Sequence, residues 1–213
     1  MSDLLTVDVW SDVVCPFCYL GTRQLAQAID LFEHPVEVIP HAFELDPHAP
    51  ASSEESLDEL LSKKYQMSVE QAQAAHRRLH AQGQQLGIDF SFATVRRANS
   101  FDAHRLIALA ATQGQANAMA TRLFHSYFSD GLLISDRETL NTLADQVGVS
   151  DANDLWTSNA FVEEVRKDEV DAHNLGIDGV PAFLLDQRVM VSGAQGVEAL
   201  ADALRQTWAT REG

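Results

Sequence analysis

Apolar and polar positions alternate over residues 4–10, LLTVDVW, in a run rich in β-forming side chains, which predicts a strand. From Pro16 the period lengthens, and Leu20, Leu25, Ala28, Ile29 and Phe32 share one helical face up to about Glu33, with Pro35 as the stop. Pro16 suits a first helical position, where its missing N–H costs nothing. Residues 36–43, VEVIPHAF, read as a second strand parallel to the first; Pro40 lacks a ladder donor and calls for an edge position or an irregular end. From about Glu44 to Asn153 the period is helical. Leu57, Leu60, Leu61 and Tyr65 form one face; Ser68 with Gln71 makes a capping box before Ala72, Ala75 and Leu79. Phe101 to Ala111 and Ala116 to Phe128 follow, then Ser135 with Glu138 as a second capping box before Leu140, Leu143 and Val147. A helix over 159–175 ends at Gly176. After it come a strand in GVPAFLLD, a turn near Gln187, a strand in RVMVSG and a helix from about Val197 to Thr210.

The order βαβ, helical insert, α, ββα predicts an α/β protein with a thioredoxin-like fold and a large all-helical insertion. The thioredoxin-like domain is expected over 1–43 and 154–213, the inserted helical domain over 44–153. At 213 residues, 46% hydrophobic, the chain is long enough to bury a core in one or two lobes. Thirty-one acidic against fifteen basic residues give a formal charge of −16, which repels phosphate backbones and anionic lipid, so neither nucleic acid nor membrane is an expected partner. The start MSDLLTVDVWSD has an acid at position 3 and alternates, where a signal peptide needs a basic start and a continuous apolar run. No stretch approaches the roughly 18 to 20 apolar residues that span a bilayer. A cytoplasmic location is the expectation. The acidic run EESLDE, 54–59, reads as a solvated helix face.

The two cysteines of the chain, Cys15 and Cys18, lie in WSDVVCPFCYLG at the first strand-to-helix turn. A structural zinc site needs four ligands, and no third cysteine exists to supply them. His76 and His80, four apart, have only weak metal spacing and read as part of a polar helix face, so no metal is expected. A structural disulfide is out of place in a reducing compartment. A redox pair has a mechanism. Cys15 at a helix N-terminus faces unpaired N–H groups and the positive end of the helix dipole, so its thiolate is favoured and its pKa should fall below the free value of about 8.5. That makes Cys15 the nucleophile, and Cys18, one turn further in and less exposed, the resolving thiol. Pro16 fixes the first helical φ, and Phe17 offers an apolar contact to a substrate. Two small residues packing against the strand is the competing structural account. Trp10 reads as core, and Asp12 as a loop contact or a proton acceptor. In DGVPAF, residues 178–183, Val180 and Pro181 open a strand; the pattern fits an ordinary trans proline as well as a cis bond.

Together WSDVVCPFCYLG, FSFATVRRANSFDAHRL, LFHSYFSDGLLISDRETL and NLGIDGVPAFLL resemble the DsbA family of thiol-disulfide oxidoreductases, in its FrnE-like branch, over nearly the whole chain. The resemblance implies a catalytic cysteine at Cys15, a resolving one at Cys18 and a cis Val180-Pro181 bond beside them. It also implies that Asn99 and His104 start a helix near the redox centre and line the substrate groove; an N-cap at Asn99 and a packing histidine at His104 account for them equally well. Phe17 stands where better-known members carry a thiolate-stabilising histidine, so strong oxidising power is not implied. The superfamily also holds 2-hydroxychromene-2-carboxylate isomerase and kappa-class glutathione transferases, in which serine commonly replaces the nucleophile. The expected function is therefore dithiol-disulfide exchange with protein, peptide or small-molecule thiols, with no bound cofactor and glutathione open as a co-substrate. A glutathione-dependent isomerase or transferase is the first alternative and a non-redox peptide-binding or chaperone module the second. A homodimer is compatible with all three.

Overall fold

The computed structural model describes residues 4–53 and 55–211. The acid at position 3 and Glu54 of the run 54–59 lie outside them. Strand β1 (Leu5–Ser11), helix α1 (Pro16–Asp30) and strand β2 (Val36–Ala42) form the βαβ unit, with β1 and β2 parallel. Strand β3 (Ala182–Leu185) pairs antiparallel with β1, and β4 (Val189–Ser192) antiparallel with β3, giving the order β2-β1-β3-β4. Pro40 accordingly sits on an edge strand, in register with Val9. The turn near Gln187 joins β3 to β4 through three residues, Asp186 to Arg188, with Asp186 and Gln187 both at positive φ (51° and 54°) and the Arg188 N–H donating to the Leu185 carbonyl at 3.0 Å. Gly176, at φ 72°, follows the helix that carries Asp168 and takes the left-handed conformation that ends it.

The chain divides into two units, Met1–Leu45 with Val162–Gly213 and Asp46–Phe161. The first holds the sheet, α1, α8 (Val162–Asn174) and α9 (Val197–Ala209). One face of its sheet buries Leu5, Val7, Val9, Phe183 and Leu185 against Leu25 and Ala28 of α1 and Leu200, Ala201 and Leu204 of α9. On the other face Trp10, Ala182 and Leu184 pack with Ala172 and Ile177.

The second unit contains α2 (Leu57–Tyr65), α3 (Val69–Gln85), α4 (Phe101–Ala111), α5 (Ala116–Phe128), α6 (Arg137–Val147) and the short α7 (Ala152–Leu155) among its described residues. The capping box at Ser68 and Gln71 forms as read, and a matching one forms at Ser56 and Glu59. The box at Ser135 and Glu138 does not. Asp136 caps α6 instead, its carboxylate accepting from the Thr139 N–H at 2.9 Å and hydroxyl at 2.8 Å, because a charged acceptor one residue nearer satisfies the first turn. His76 is not on a solvated face: it is buried, bonded to Asp58 at 2.7 Å and stacked on Phe92. Asn99 and His104 belong to this unit. The Asn99 Oδ1 accepts from the Phe101 N–H at 3.0 Å and so does capping work for α4 from one position before the cap, while His104 is buried.

Candidate active site

Cys15 is the N-cap of α1 and Pro16 its first residue; the Cys15 carbonyl accepts from the N–H groups of Cys18 (3.1 Å) and Tyr19 (3.3 Å), which starts the helix. The Cys15 thiol makes no cap bond to the first turn and points elsewhere. It donates to the Val180 carbonyl at 3.8 Å. The Val180-Pro181 peptide is cis, and β3 begins directly after it. Six of the sequence-selected residues, Cys15, Pro16, Phe17, Cys18, Val180 and Pro181, thus lie in the first unit, at the start of α1 and the start of β3. Asn99 and His104 are parts of the second.

Exposure separates the two thiols in the direction the sequence implies but by a small margin: Cys15 is 4% exposed and Cys18 0%. Phe17 between them is 51% exposed, an apolar ring presented to solvent at the helix start. Burial, and then the hydrogen bond and charge of Cys15, push the Cys18 thiol well above its ordinary pKa. The negative charge of Asp12 acts in the same sense, and a hydrogen bond with the Asp12 backbone opposes it.

Asp12 organises the loop before the cysteines. It is fully buried; its carbonyl accepts from the Cys15 N–H at 3.0 Å, and its two carboxylate oxygens accept from the N–H groups of Val14 (3.3 Å) and Leu45 (2.7 Å). One side chain therefore joins the Cys15 loop to the chain leaving β2. Phe43 and Val180 pack against the cluster that holds Trp10 and Ile177, so Val180, whose carbonyl meets the Cys15 thiol, rests on the sheet's second face.

A second polar group on that face escaped the sequence reading. His41 on β2 is held between Asp168 of α8, 2.7 Å from Nδ1, and Asp8 of β1, 2.7 Å from Nε2, with the Trp10 ring stacked on it at 4.5 Å. Burial works against protonation, but the hydrogen bonds that the imidazolium donates to Asp168 and Asp8 outweigh it and raise the His41 pKa to about 9. Asp168 also accepts from the Ala42 N–H at 2.9 Å, its own carbonyl accepts from the Trp10 indole at 3.0 Å, and Gln187 donates to Asp8. These bonds tie β1, β2, α8 and the β3–β4 turn into one network. No sequence signal marks it, since Asp168 and Gln187 lie more than a hundred residues from the β1 and β2 residues they bond. Among the described residues no group of His, Cys, Asp and Glu is arranged to hold a metal ion, and no helix is long and apolar enough to cross a membrane.

With this geometry in place, the comparisons with known proteins are specific. A match to the DSBA-like thioredoxin domain family covers residues 6–205. A probable DsbA oxidoreductase from Streptomyces coelicolor is 36% identical, with a TM-score of 0.91 over 96% of this chain and 90% of that one. YwbO of Bacillus subtilis (strain 168) is 25% identical over 202 residues, 93% of this chain and 94% of that protein. The cytosolic disulfide reductase DsbM from Pseudomonas aeruginosa, also solved with GSH, shares the fold at a TM-score of 0.68 and 18% identity, over 96% of this chain and 99% of its own. The chain belongs to the DSBA-like thioredoxin domain family.

Proposed function

We propose that the protein is a thiol-disulfide oxidoreductase in which Cys15 is the nucleophile and Cys18 the resolving thiol. The observation that carries this reading is the asymmetry of the pair. Cys15 stands at the N-cap position of α1 with its thiol directed at the Val180 carbonyl, whereas Cys18 is sealed inside the helix start and held in its protonated form by burial and by Cys15 itself.

That asymmetry orders the steps. The Cys15 thiolate attacks a substrate disulfide, forming a mixed disulfide and expelling one substrate sulfur, which takes up a proton. Cys15 then carries neither a charge nor an S–H, so two of the influences that hold the Cys18 proton disappear together. Cys18 loses its proton and attacks Cys15 Sγ, closing the internal disulfide and expelling the second substrate thiol. Two electrons and two protons pass to the substrate; the reverse sequence oxidises a dithiol. Phe17 and Val180 offer apolar contacts to the incoming chain.

Glutathione is the co-substrate of this reading, with DsbM as the structural neighbour that supports it. The fold is shared with 2-hydroxychromene-2-carboxylate isomerase as well, at a TM-score of 0.72 and 18% identity. A thiol at both positions 15 and 18 favours exchange over isomerisation, because only a second thiol can discharge a mixed disulfide internally. A protein whose couple works against glutathione belongs in a reducing compartment, which is where we place this one.

The test uses two variants and glutathione disulfide. C18S should accumulate a stable glutathione adduct on Cys15 by intact mass, and C15S should accumulate none. Equal adduct formation at both positions, or none at either, would remove the assigned roles. Retention of function in cells by C15S would instead favour a binding module without redox chemistry.

A further inference from the structure

Gly21 lies inside α1, three residues after Cys18, and is buried. A helix interior is a poor place for glycine, which is destabilising there relative to alanine. Its backbone gives no reason for the choice, since Gly21 is absent from the residues at positive φ. The space does. A methyl carbon at Gly21 would fall 2.8 Å from Cγ and 3.4 Å from Cβ of Pro181, and 3.1 Å from Cζ of Phe183.

The obstruction cannot swing aside. The proline ring is closed onto its own backbone, and the Pro181 carbonyl accepts from the Gly193 N–H at 2.7 Å. The next two residues are held from both sides: Ala182 is in register with Trp10 and Ser192, Phe183 with Val9 and Val191. What can yield is the chain before the ring, which is Val180, or the first turns of α1, which carry Cys15 and Cys18. Both routes end at the same contact, the 3.8 Å separation of Cys15 Sγ from the Val180 carbonyl.

We propose that Gly21 is a positioning residue of the redox site: by letting α1 lie against Pro181 with only a hydrogen atom between them, it sets the distance from the Cys15 thiol to Val180. The role rests on the dithiol reading above. It has a directional consequence. The S–H donation to Val180 exists only in the reduced protein, so lengthening it weakens the reduced form and moves the couple toward the disulfide.

The test compares wild type, G21A and G83A, each equilibrated with mixtures of glutathione and glutathione disulfide and assayed for the rate of exchange. G83A is the control for overpacking alone: Gly83 lies in α3 of the other unit, and a methyl there would fall 2.6 Å from the Phe90 ring. G21A should exchange about ten- to a hundredfold more slowly, as expected for reacting groups displaced by a fraction of an ångström. Its equilibrium should shift about threefold toward the disulfide, the share of one weak hydrogen bond. G83A should keep both within about twofold of wild type, as an independent site does. If G21A does not fold, P181A and G21A/P181A replace it: without the ring Cγ the 2.8 Å obstruction is gone and the tightest remaining contact is the tip of the Phe183 ring at 3.1 Å, so the double variant should fold and match P181A. A competent wild type with a G21A that exchanges and equilibrates like it overturns the role of Gly21 alone. So does a double variant that loses, relative to P181A, as much as G21A loses relative to wild type, or that fails to fold. A wild type that forms no Cys15–Cys18 disulfide overturns the dithiol reading and this inference with it.

Discussion

Raising the pH through the His41 transition should unlock the network that joins β1, β2 and α8. His41 is about one-fifth exposed and bonded to a carboxylate at each ring nitrogen, so most of its interaction with Asp8 and Asp168 is sheltered from solvent. Its pKa rises from 6.5 to about 9 on folding. At about 1.4 kcal/mol for each tenfold of proton affinity, the protonated bridge is worth about 3 kcal/mol. Because the folded value is the higher one, this stability is fully present below pH 6.5, declines as pH rises from there, and is gone above about 9. Urea unfolding of wild type and H41N, followed by far-UV circular dichroism and indole fluorescence, reads the difference directly. The two proteins should differ by about 3 kcal/mol near pH 6 and converge toward pH 9.5. Both retain Cys15 and Cys18, so thiol titration cancels in the comparison. A gap that stays constant over this range, or no gap at its acidic end, would refute the assignment of the charge to His41.

Two substitutions probe the loop and its exposed ring. D12A removes the buried carboxylate that accepts from the Val14 and Leu45 N–H groups and should cost about 1–3 kcal/mol in urea unfolding, with a loss of alkylation selectivity between the cysteines. A stability within about 0.5 kcal/mol of wild type would show that Asp12 does not hold the loop. F17A, at a half-exposed site, should leave stability within about 0.5 kcal/mol of wild type. Its exchange rate should fall with apolar peptide disulfides and hold with glutathione disulfide; an equal effect on both would place Phe17 outside the substrate contact.

Local periodicity reveals the elements because each is decided by neighbours in sequence. The alternation in LTVDVWS, Pro16 at the first position of α1 and Pro40 on an edge strand all follow from rules that act within a few residues. Cys15 and Cys18 were legible for the same reason, as a pair spaced by one turn at a strand-to-helix junction. The misreadings share a cause too. Asp136 displaces Ser135 as the cap of α6 because two plausible caps stand side by side and the ionised one bonds better. Arg105 carries no periodic signal, yet its buried guanidinium donates to the carbonyls of Leu155, Ser158 and Ala160 and to Asp102, fixing the end of the helical unit. In NSFDAHRL the sequence drew notice to Asn99 and His104, while the residue with the most visible structural work is their neighbour. His41 is a similar case: a histidine in a strand is unremarkable until folding brings Asp168 to it. Gly21 had a signal, a glycine inside a helical pattern, whose meaning required the position of Pro181.

The central claim is that Cys15 and Cys18 form a working couple, and the most direct measurement is its equilibrium in glutathione buffers of graded ratio, with thiols trapped by acid and alkylation and counted by mass. The expected result is a reversible transition from two free thiols to one internal Cys15–Cys18 disulfide. A chain that never closes that bridge, or that ends as a persistent glutathione adduct on Cys15, would contradict it and turn the assignment toward glutathione-dependent isomerase or transferase chemistry.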